Sequence, residues 1–215
     1  MKDCILFLNG NYQKKDLQFY QELCSGKIQI AVDRGYEFFR KTKSFPDILL
    51  GDFDSLGTIP KNLPSKTILM EYPENKNYTD CHIALKYCLN KRAKNIDIVQ
   101  PSVGEIDHFI GNFFLLTLKD ITANKSYTPQ IRIINHDYEV RLVINTSTTF
   151  RDSSGSKISV IPLSSKIIMT SSGMAYNTDN LTIKQGESRG LRNQIKSKKA
   201  VIKIDGKGLI YRKYL

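Results

Sequence analysis

Apolar residues are spaced differently in the first and second parts of this chain, and that change limits the folds it can adopt. Up to residue 138, short apolar runs typical of strands alternate with segments of helical periodicity. Such alternation predicts a mostly parallel, Rossmann-like sheet covered by helices. After residue 138 only short strand-like runs follow, separated by Ser, Thr, Asn and Gly, and this pattern predicts an all-β sandwich or barrel. The sequence therefore predicts two domains, residues 1–138 and 139–215.

The first part is predicted to contain six strands and four helices. The strands are predicted over residues 4–8, 28–33, 48–50, 67–71, 96–99 and 131–134, and the helices over 16–24, 36–42, 80–91 and 108–118. Thr79 is expected to cap the third helix. The last two helices carry apolar stripes that we expect to be buried: Cys81, Ala84, Leu85 and Cys88 in one, and Ile110, Phe113, Phe114 and Leu118 in the other.

The second part is predicted to contain only strands. They are predicted over residues 140–144, 157–161, 166–170, 181–183, 200–204 and 209–211. The last two flank the turn-forming residues Asp205-Gly-Lys-Gly, which favour a hairpin.

Composition argues against several classes of protein. With 40% hydrophobic and 25% charged residues, the chain is ordinary for a soluble protein. No run approaches the roughly 18 apolar residues that span a membrane, and the apolar stretch 4–8 is too short for a secretory signal. None of the four cysteines forms a CxxC pair, so a zinc site is not expected. A cytoplasmic protein with reduced thiols is expected.

The net charge of +11 allows two interpretations. One is nucleic-acid binding. The other is a basic surface that attracts anionic metabolites or only keeps the protein soluble. Residues 189–215 contain nine Lys or Arg and one acid, Asp205, in strand-like segments. Because basic side chains that alternate along strands commonly face solvent, we favour the second interpretation.

Acidic residues lie at the ends of two predicted strands and begin one helix. Asp33 ends the strand 28–33, Asp52 and Asp54 follow the strand 48–50, and Asp80 begins the third helix. In an open α/β sheet, the carboxyl ends of strands face the ligand crevice. Two neighbouring carboxylates repel each other unless a cation or proton lies between them. These acids predict a site for Mg²⁺ and a phosphorylated ligand, although each could also lie in an ordinary solvated loop.

Further candidates lie near these acids and near the end of the chain. Lys76 precedes Asp80 by four residues and could bind phosphate, or be an exposed loop lysine. In the segment GEIDHFIGN, His108 and Asn112 share a helix face, and Asp107 could cap that helix or lie at its positive end. Late in the chain, Tyr176 could face a flat ligand or belong to the core. Arg192 and Asn193 could contact a ligand or form a turn.

Taken together, these motifs resemble the thiamine pyrophosphokinase family. The segment AVDRGYEFFRKTKSFPDILLGDFDS resembles the family's Asp-Gly-Gly, Pro-Asp and Gly-Asp-Phe-Asp-Ser series. YPENKNYTDCHIAL resembles its Lys-Asp-x-Thr-Asp-x-x-x-Ala-Leu motif, and GEIDHFIGN its Gly-Arg-x-Asp-His-x-x-x-Asn motif. SSGMAY and RGLRNQI stand in the places of its late Gly-Leu-Lys-Trp/Tyr and Ser-Asn segments. The departures from the family's pattern are Arg34, Asn77, Glu105, Ala175 and Arg192.

The resemblance implies a fold, a reaction and a set of site residues. It implies an α/β domain at 1–138 that binds ATP and Mg²⁺, and a β-sandwich domain at 139–215 that binds thiamine. It implies a homodimer with active sites shared between subunits and the reaction ATP + thiamine → AMP + thiamine diphosphate. The implied catalytic residues are Asp52, Asp54 and Asp80, which with Asp33 are also the implied metal ligands. The implied ATP contacts are Asp33, Lys76, Thr79, Asp107, His108 and Asn112. The implied thiamine contacts are Tyr176, Arg192 and Asn193.

Two alternative functions fit parts of the sequence. ILLGDFDSL superficially resembles the motif of phosphatases that use an aspartyl nucleophile, which here would be Asp52. That motif usually ends the first strand of its domain, whereas here at least two predicted strands precede the strand 48–50 that leads to Asp52. A basic nucleic-acid-binding module is the second alternative, and it leaves the clustered acids unexplained.

Overall fold

The computed structural model describes residues 2–53, 60–102, 104–122 and 126–215. The chain divides into two compact units, Met1–His136 and Asp137–Leu215, which we call the α/β unit and the β unit. This division falls two residues before the boundary that we expected from the sequence. No helix among the described residues is long and apolar enough to cross a membrane.

The α/β unit contains a parallel sheet of six strands. These are β1 (Asp3–Phe7), β2 (Lys27–Val32), β3 (Ile48–Gly51), β4 (Ile68–Glu71), β5 (Asn95–Val99) and β6 (Gln130–Ile134). Their order is β6-β5-β1-β2-β3-β4, and each neighbouring pair is parallel. The first strand therefore lies between β2 and β5, where the direction of strand addition reverses. In sheets of this kind, ligands bind at the carboxyl ends of the strands beside that reversal.

Helices and short 3₁₀ turns connect these strands. The helices are α1 (Leu17–Leu23), α2 (Tyr36–Thr42), α3 (Asp80–Asn90), α4 (Ile106–Leu115) and α5 (Lys119–Thr122), and the 3₁₀ turns are Lys14–Asp16 and Asp33–Gly35. A close approach makes glycine necessary at Gly35, because a Cβ there would lie 1.7 Å from the carbonyl oxygen of Phe7. The ring of Phe38 stacks on Phe7 with centroids 4.0 Å apart. These contacts hold the segment that begins at Asp33 against the end of β1.

The two predicted helix stripes have different outcomes. In α3, Cys81, Ala84, Leu85 and Cys88 are all buried, as expected. In α4 the prediction is wrong, because no residue of that helix is fully buried, and Ile110 and Phe114 are 47% and 65% exposed. The helix also ends at Leu115, before Leu118. Helical periodicity identifies an apolar face, but it does not show whether other parts of the chain cover that face.

The β unit, which is described throughout, contains antiparallel strands and no helix. The strands are β7 (Tyr138–Arg151), β8 (Lys157–Pro162), β9 (Lys166–Ser172), β10 (Thr178–Lys184), β11 (Asn193–Gln194) and β12 (Lys199–Lys213). β12 pairs with β7 along most of its length, with β9 over residues 201–205 and with β8 over residues 208–213. The strands enclose one apolar core, to which Phe150, Ile167, Ile183 and Ile202 contribute.

The hairpin that we expected around Asp205 is not formed. The segment runs as one strand, β12, and its register with β7 shifts between Ile204 and Lys207. Gly206 has a φ of 112°, which L side chains rarely adopt. The glycine-rich segment therefore forms a bulge within one strand. β12 pairs with β7 on both sides of this bulge, whereas its other neighbour changes there from β9 to β8.

Candidate active site

Two carboxylates lie at the ends of neighbouring parallel strands. Asp33 follows β2 and Asp52 follows β3, and these strands pair with Val32 opposite Leu50. A Cβ on Gly51 would lie 3.1 Å from the Cβ of Asp33, so the two strand ends approach closely. Asp33 also has a left-handed φ of 48°, which is uncommon outside glycine. Asp54, the fourth predicted acid, lies outside the described residues.

The third carboxylate belongs to the first turn of α3. Thr79 caps this helix as expected, since its hydroxyl accepts a hydrogen bond of 3.3 Å from the backbone N–H of His82. Asp80 is the first residue of the helix. Its Oδ1 atom is buried and has no hydrogen-bond partner among the described residues. A buried acceptor without a partner is costly, so this oxygen is suited to a ligand.

Lys76 forms ion pairs with one acid that follows a strand and with the acid that begins α3. Its Nζ atom lies 2.5 Å from Oδ2 of Asp52 and 3.3 Å from Oδ2 of Asp80. Burial opposes the charge on Lys76, but the two carboxylates outweigh that effect and raise its pKa. For Asp80, burial raises the pKa, Lys76 partly offsets the rise, and the charges of Asp52 and Asp33 add to it. One ammonium group is therefore shared between the carboxylates of Asp52 and Asp80, and the charge of Asp33 adds to the negative charge at Asp80.

A cavity of about 690 Å³ lies beside these residues, within the usual size range of ligand pockets. Residues following β1, β2 and β5 line it together with the starts of α3 and α4. Six of the residues expected to bind the nucleotide or metal line this cavity: Asp33, Lys76, Thr79, Asp80, His108 and Asn112. Asp52 does not line this cavity, but it forms an ion pair with Lys76, which does.

Gln100 is a lining residue that we did not select from the sequence. It follows β5, and its Oε1 atom accepts a hydrogen bond of 3.4 Å from Nδ2 of Asn112 in α4. The rule that identified Asp33 and Asp52, a polar residue at the carboxyl end of a strand, would also have selected Gln100.

Three polar side chains cluster at the start of α4. Glu105 occupies the N-cap position without a side-chain capping bond, and Asp107 lies in the first turn, where it accepts a hydrogen bond from the backbone N–H of His108. Possible ligand atoms of Glu105, Asp107 and His108 lie within 4.8 Å of one another, but all three side chains are exposed. This cluster is therefore an exposed edge of the cavity.

The remaining candidates meet in the β unit. Tyr176, Arg192 and Asn193 line a cavity of about 280 Å³. The Asn193 side chain accepts a hydrogen bond of 3.1 Å from the backbone N–H of Tyr176, and donates one of 2.7 Å to its carbonyl oxygen. The Tyr176 side chain is 77% exposed, so it is not a core residue. Its backbone is held in place while its ring remains open to a ligand.

Comparison with known proteins gives a consistent result. A family model described as the catalytic domain of thiamin pyrophosphokinase matches residues 19–127. The thiamine pyrophosphokinase of Bacillus subtilis (strain 168) is 28% identical over 172 residues, which cover 78% of this chain and 78% of the relative. Thiamin pyrophosphokinase 1 of Caenorhabditis elegans is 24% identical over 194 residues, which cover 82% of this chain and 75% of the relative.

Solved structures share the fold. The crystal structure of thiamine pyrophosphokinase from Bacillus subtilis matches with a TM-score of 0.82 and 24% identity, and the match covers 99% of both chains. Thiamin pyrophosphokinase from Candida albicans matches with a TM-score of 0.74 and 17% identity, covering 100% of this chain and 89% of that one. At these identities, the likeness establishes the fold.

Proposed function

The chain belongs to the thiamin pyrophosphokinase family, and from that membership we propose that the acidic edge of the α/β unit is its catalytic site. The protein is an ATP-dependent diphosphotransferase that makes thiamine diphosphate. In this reaction the thiamine hydroxyl attacks the β-phosphorus of ATP and AMP leaves. Because the transferred group is heavily charged, positioning and charge neutralisation account for most of the catalysis.

The observation that supports this site is the position of Lys76 between Asp52 and Asp80, with the charge of Asp33 acting on Asp80. These residues fit Mg²⁺, which prefers carboxylate oxygens and substrate phosphates, and the partnerless Oδ1 atom of Asp80 offers one such oxygen. A bound Mg²⁺ ion would neutralise the phosphate charge and orient the phosphates. We propose Asp54 as a further ligand and catalytic residue on the strength of the sequence motif.

The protein's own groups would hold the polyphosphate in the large cavity. Lys76 would move its ammonium group from the carboxylates toward phosphate oxygens, as a flexible point charge can. Backbone N–H groups at the start of α3, beside Thr79, would favour the same negative charge. Asp107, His108 and Asn112 would contact the nucleoside side.

We propose the β unit as a sandwich domain that binds thiamine. Tyr176 would stack against the cationic heterocycle, and Asn193, which holds the Tyr176 backbone, would keep the ring in place. Arg192 is proposed as a further polar contact. As the family resemblance implies, the enzyme would be a homodimer whose sites combine the α/β unit of one chain with the β unit of the other. Cytoplasmic localisation stays a prediction.

Product analysis tests this function directly. The full-length protein is incubated with Mg²⁺, ATP and thiamine, and the nucleotides and thiamine esters are separated. We expect AMP and thiamine diphosphate in equal amounts, and no AMP without thiamine. Release of ADP or inorganic phosphate instead, or a trapped phosphoryl group on Asp52, would replace this mechanism with that of a phosphatase. Neither a phosphatase nor a nucleic-acid-binding module is favoured by the family match.

A further inference from the structure

A cavity of about 720 Å³ lies at the amino ends of the strands of the α/β unit. The first residues of β2, β3 and β4 line it, together with the turn that joins α1 to β2. Because β1–β4 are parallel, their amino ends meet at one edge of the sheet, and the candidate active site lies at the other edge. The two cavities share no lining residue. The proposed catalytic function therefore makes no use of this second cavity, which we call the amino-end cavity.

The acidic and thiol groups that line the amino-end cavity already have hydrogen-bond partners. Oδ2 of Asp47 accepts a hydrogen bond of 2.8 Å from the backbone N–H of Gln29, and Oε1 of Glu22 accepts one of 3.1 Å from a glutamine one helical turn before it. The Cys24 thiol donates a hydrogen bond of 3.3 Å to the carbonyl oxygen of Tyr20. Burial raises the pKa of this thiol to about 11, so it is uncharged at neutral pH.

Two lysines of the amino-end cavity form no ion pair with any of the described residues. Lys2 directly precedes β1, and Lys66 lies two residues before β4. Since β2 and β3 lie between these strands, the two lysines reach the cavity from opposite sides, from strands about 14 Å apart. The third lysine, Lys27, lies 2.5 Å from Asp97, which also pairs with Arg132. The groups that remain available to a ligand are therefore cationic.

Apolar side chains form another part of the same cavity. Ile68 is 53% exposed, although it lies in a strand, and the ring of Tyr87 in α3 is half-buried beside the cavity. β4 is the last strand of its sheet and pairs, among the described strands, with β3 alone. An exposed apolar wall beside free ammonium groups suits a ligand that has both an apolar body and a negative charge.

We propose that the amino-end cavity binds a small, soluble phosphate monoester with an apolar body. A phosphate monoester carries between one and two negative charges at neutral pH, so two ammonium groups match it better than they match a carboxylate. Lys2 and Lys66 hold the phosphate from two sides, and the apolar body lies against Ile68 and Tyr87. The site is separate from the catalytic site and does not depend on it.

Three probes separate the two features of such a ligand. Binding of phenyl phosphate, inorganic phosphate and phenol to the full-length protein is measured by calorimetry in metal-free solution. Without a metal ion, the carboxylates of the candidate active site repel phosphate, so binding there does not obscure the result. We expect phenyl phosphate to bind at least about fivefold more tightly than either other probe, because only phenyl phosphate uses both the lysines and the apolar wall.

Three variants locate the binding. Lys66→Glu should weaken phenyl phosphate binding by at least about threefold, because it replaces an attraction by a repulsion. Lys61→Glu, at an exposed lysine outside the cavity lining, makes the same change in net charge and should leave binding nearly unchanged. Ile68→Ala should weaken the binding of phenyl phosphate but not that of inorganic phosphate. Circular dichroism checks that each variant is folded.

Each result supports or overturns the proposal. Loss of phenyl phosphate binding in Lys66→Glu, with normal release of AMP from ATP and thiamine, would support a site apart from the catalytic one. Equal weakening by Lys66→Glu and Lys61→Glu would show that only the overall charge attracts the ligand, and the proposal would be wrong. It would also be wrong if phenyl phosphate bound no more tightly than inorganic phosphate, or did not bind to the natural protein. None of these results depends on whether the proposed diphosphotransferase activity is found.

Discussion

The α/β unit and the β unit each bury one carboxylate between two cationic side chains, but only the α/β unit gathers further acids beside a cavity. Asp97 meets Lys27 and Arg132 in the first unit, and Glu139 meets Arg141 and Arg212 in the second. Each of these buried carboxylates forms ion pairs with strand residues of its own unit. Lys76 instead is shared between Asp52 and Asp80, and the charge of Asp33 acts on Asp80. Comparison of the two units thus separates acids that hold a fold together from acids that we propose bind a ligand.

Net charge also differs between the units. The α/β unit has 18 Lys or Arg and 15 Asp or Glu, whereas the β unit has 14 and 6. Most of the excess positive charge therefore belongs to the unit without the acidic site. A basic chain can contain a strongly acidic site, because net charge describes the surface field and not the local arrangement of side chains.

Substitution of an acid in the candidate site should give the largest effect. We expect Asp80→Asn to lower kcat by a factor on the order of a thousand, because loss of a metal-binding carboxylate removes several kcal/mol of transition-state stabilisation. Steady-state AMP release measures this, and circular dichroism checks the fold. Asp179→Asn, at an exposed acid of the β unit, is the matched control. Equal activity in both variants would show that the acid of the candidate site matters no more for catalysis than an exposed acid of the β unit.

Substitution of the buried carboxylates should affect stability in both units. We expect Asp97→Asn and Glu139→Gln each to lower the free energy of unfolding by about 3 kcal/mol. This lies at the low end for broken buried ion pairs, because the cationic partners are partly exposed. Urea unfolding measures the change. A loss in only one unit would show that the two buried groups are not equivalent.

Acid pH should reduce the contribution of Asp97 to the free energy of unfolding. Burial would raise the pKa of this carboxyl, but hydrogen bonds and charges from Arg132 and Lys27 outweigh burial and hold the pKa below its ordinary value. A carboxyl with a lowered pKa in the folded state stabilises the protein above its unfolded pKa, and this stabilisation is lost as the pH falls through the folded pKa. The stability gap between the natural protein and Asp97→Asn should therefore be complete at neutral pH and shrink in strong acid. A constant gap would contradict this assignment.

Substitution of Tyr176 should have a smaller effect, confined to thiamine. A stacked cation contributes roughly 0.5–2 kcal/mol, so Tyr176→Ala should raise the KM for thiamine by about 2- to 30-fold. The KM for ATP should not change. Steady-state kinetics with each substrate varied in turn measures both constants. A larger effect on ATP would place Tyr176 on the nucleotide side.

Mixing inactive and weakened chains tests whether the two units act across subunits. If a site combines units of different chains, dimers formed from Asp80→Asn and Tyr176→Ala chains contain one intact site. We expect some activity to return at low thiamine after the chains are mixed and allowed to exchange. Activity no higher than the diluted Tyr176→Ala rate would show that thiamine binds within one chain.

Local sequence patterns were sufficient to predict much of the α/β unit. The acids that follow β2 and β3, the capping residue Thr79 and the buried stripe of α3 are all features of neighbouring residues. The same reasoning was wrong for the stripe of α4, and for the hairpin expected at Asp205. The apolar face of α4 and the glycine-rich segment at Asp205 were both recognised correctly. Whether that face is buried, and whether that segment turns the chain, depended on which distant strands or helices lie beside it.

The sequence by itself determined the order of the elements, the motifs of the family and the residue types available for binding magnesium and phosphate. Only the tertiary structure brought Lys76 between Asp52 and Asp80, placed Gln100 against Asn112, and opened a cavity that Asp33, Lys76 and Asp80 line. Strand and helix periodicity arise from contacts within a few residues. The meeting of β2, β3 and α3 depends on the strand order around β1, which no local pattern specifies.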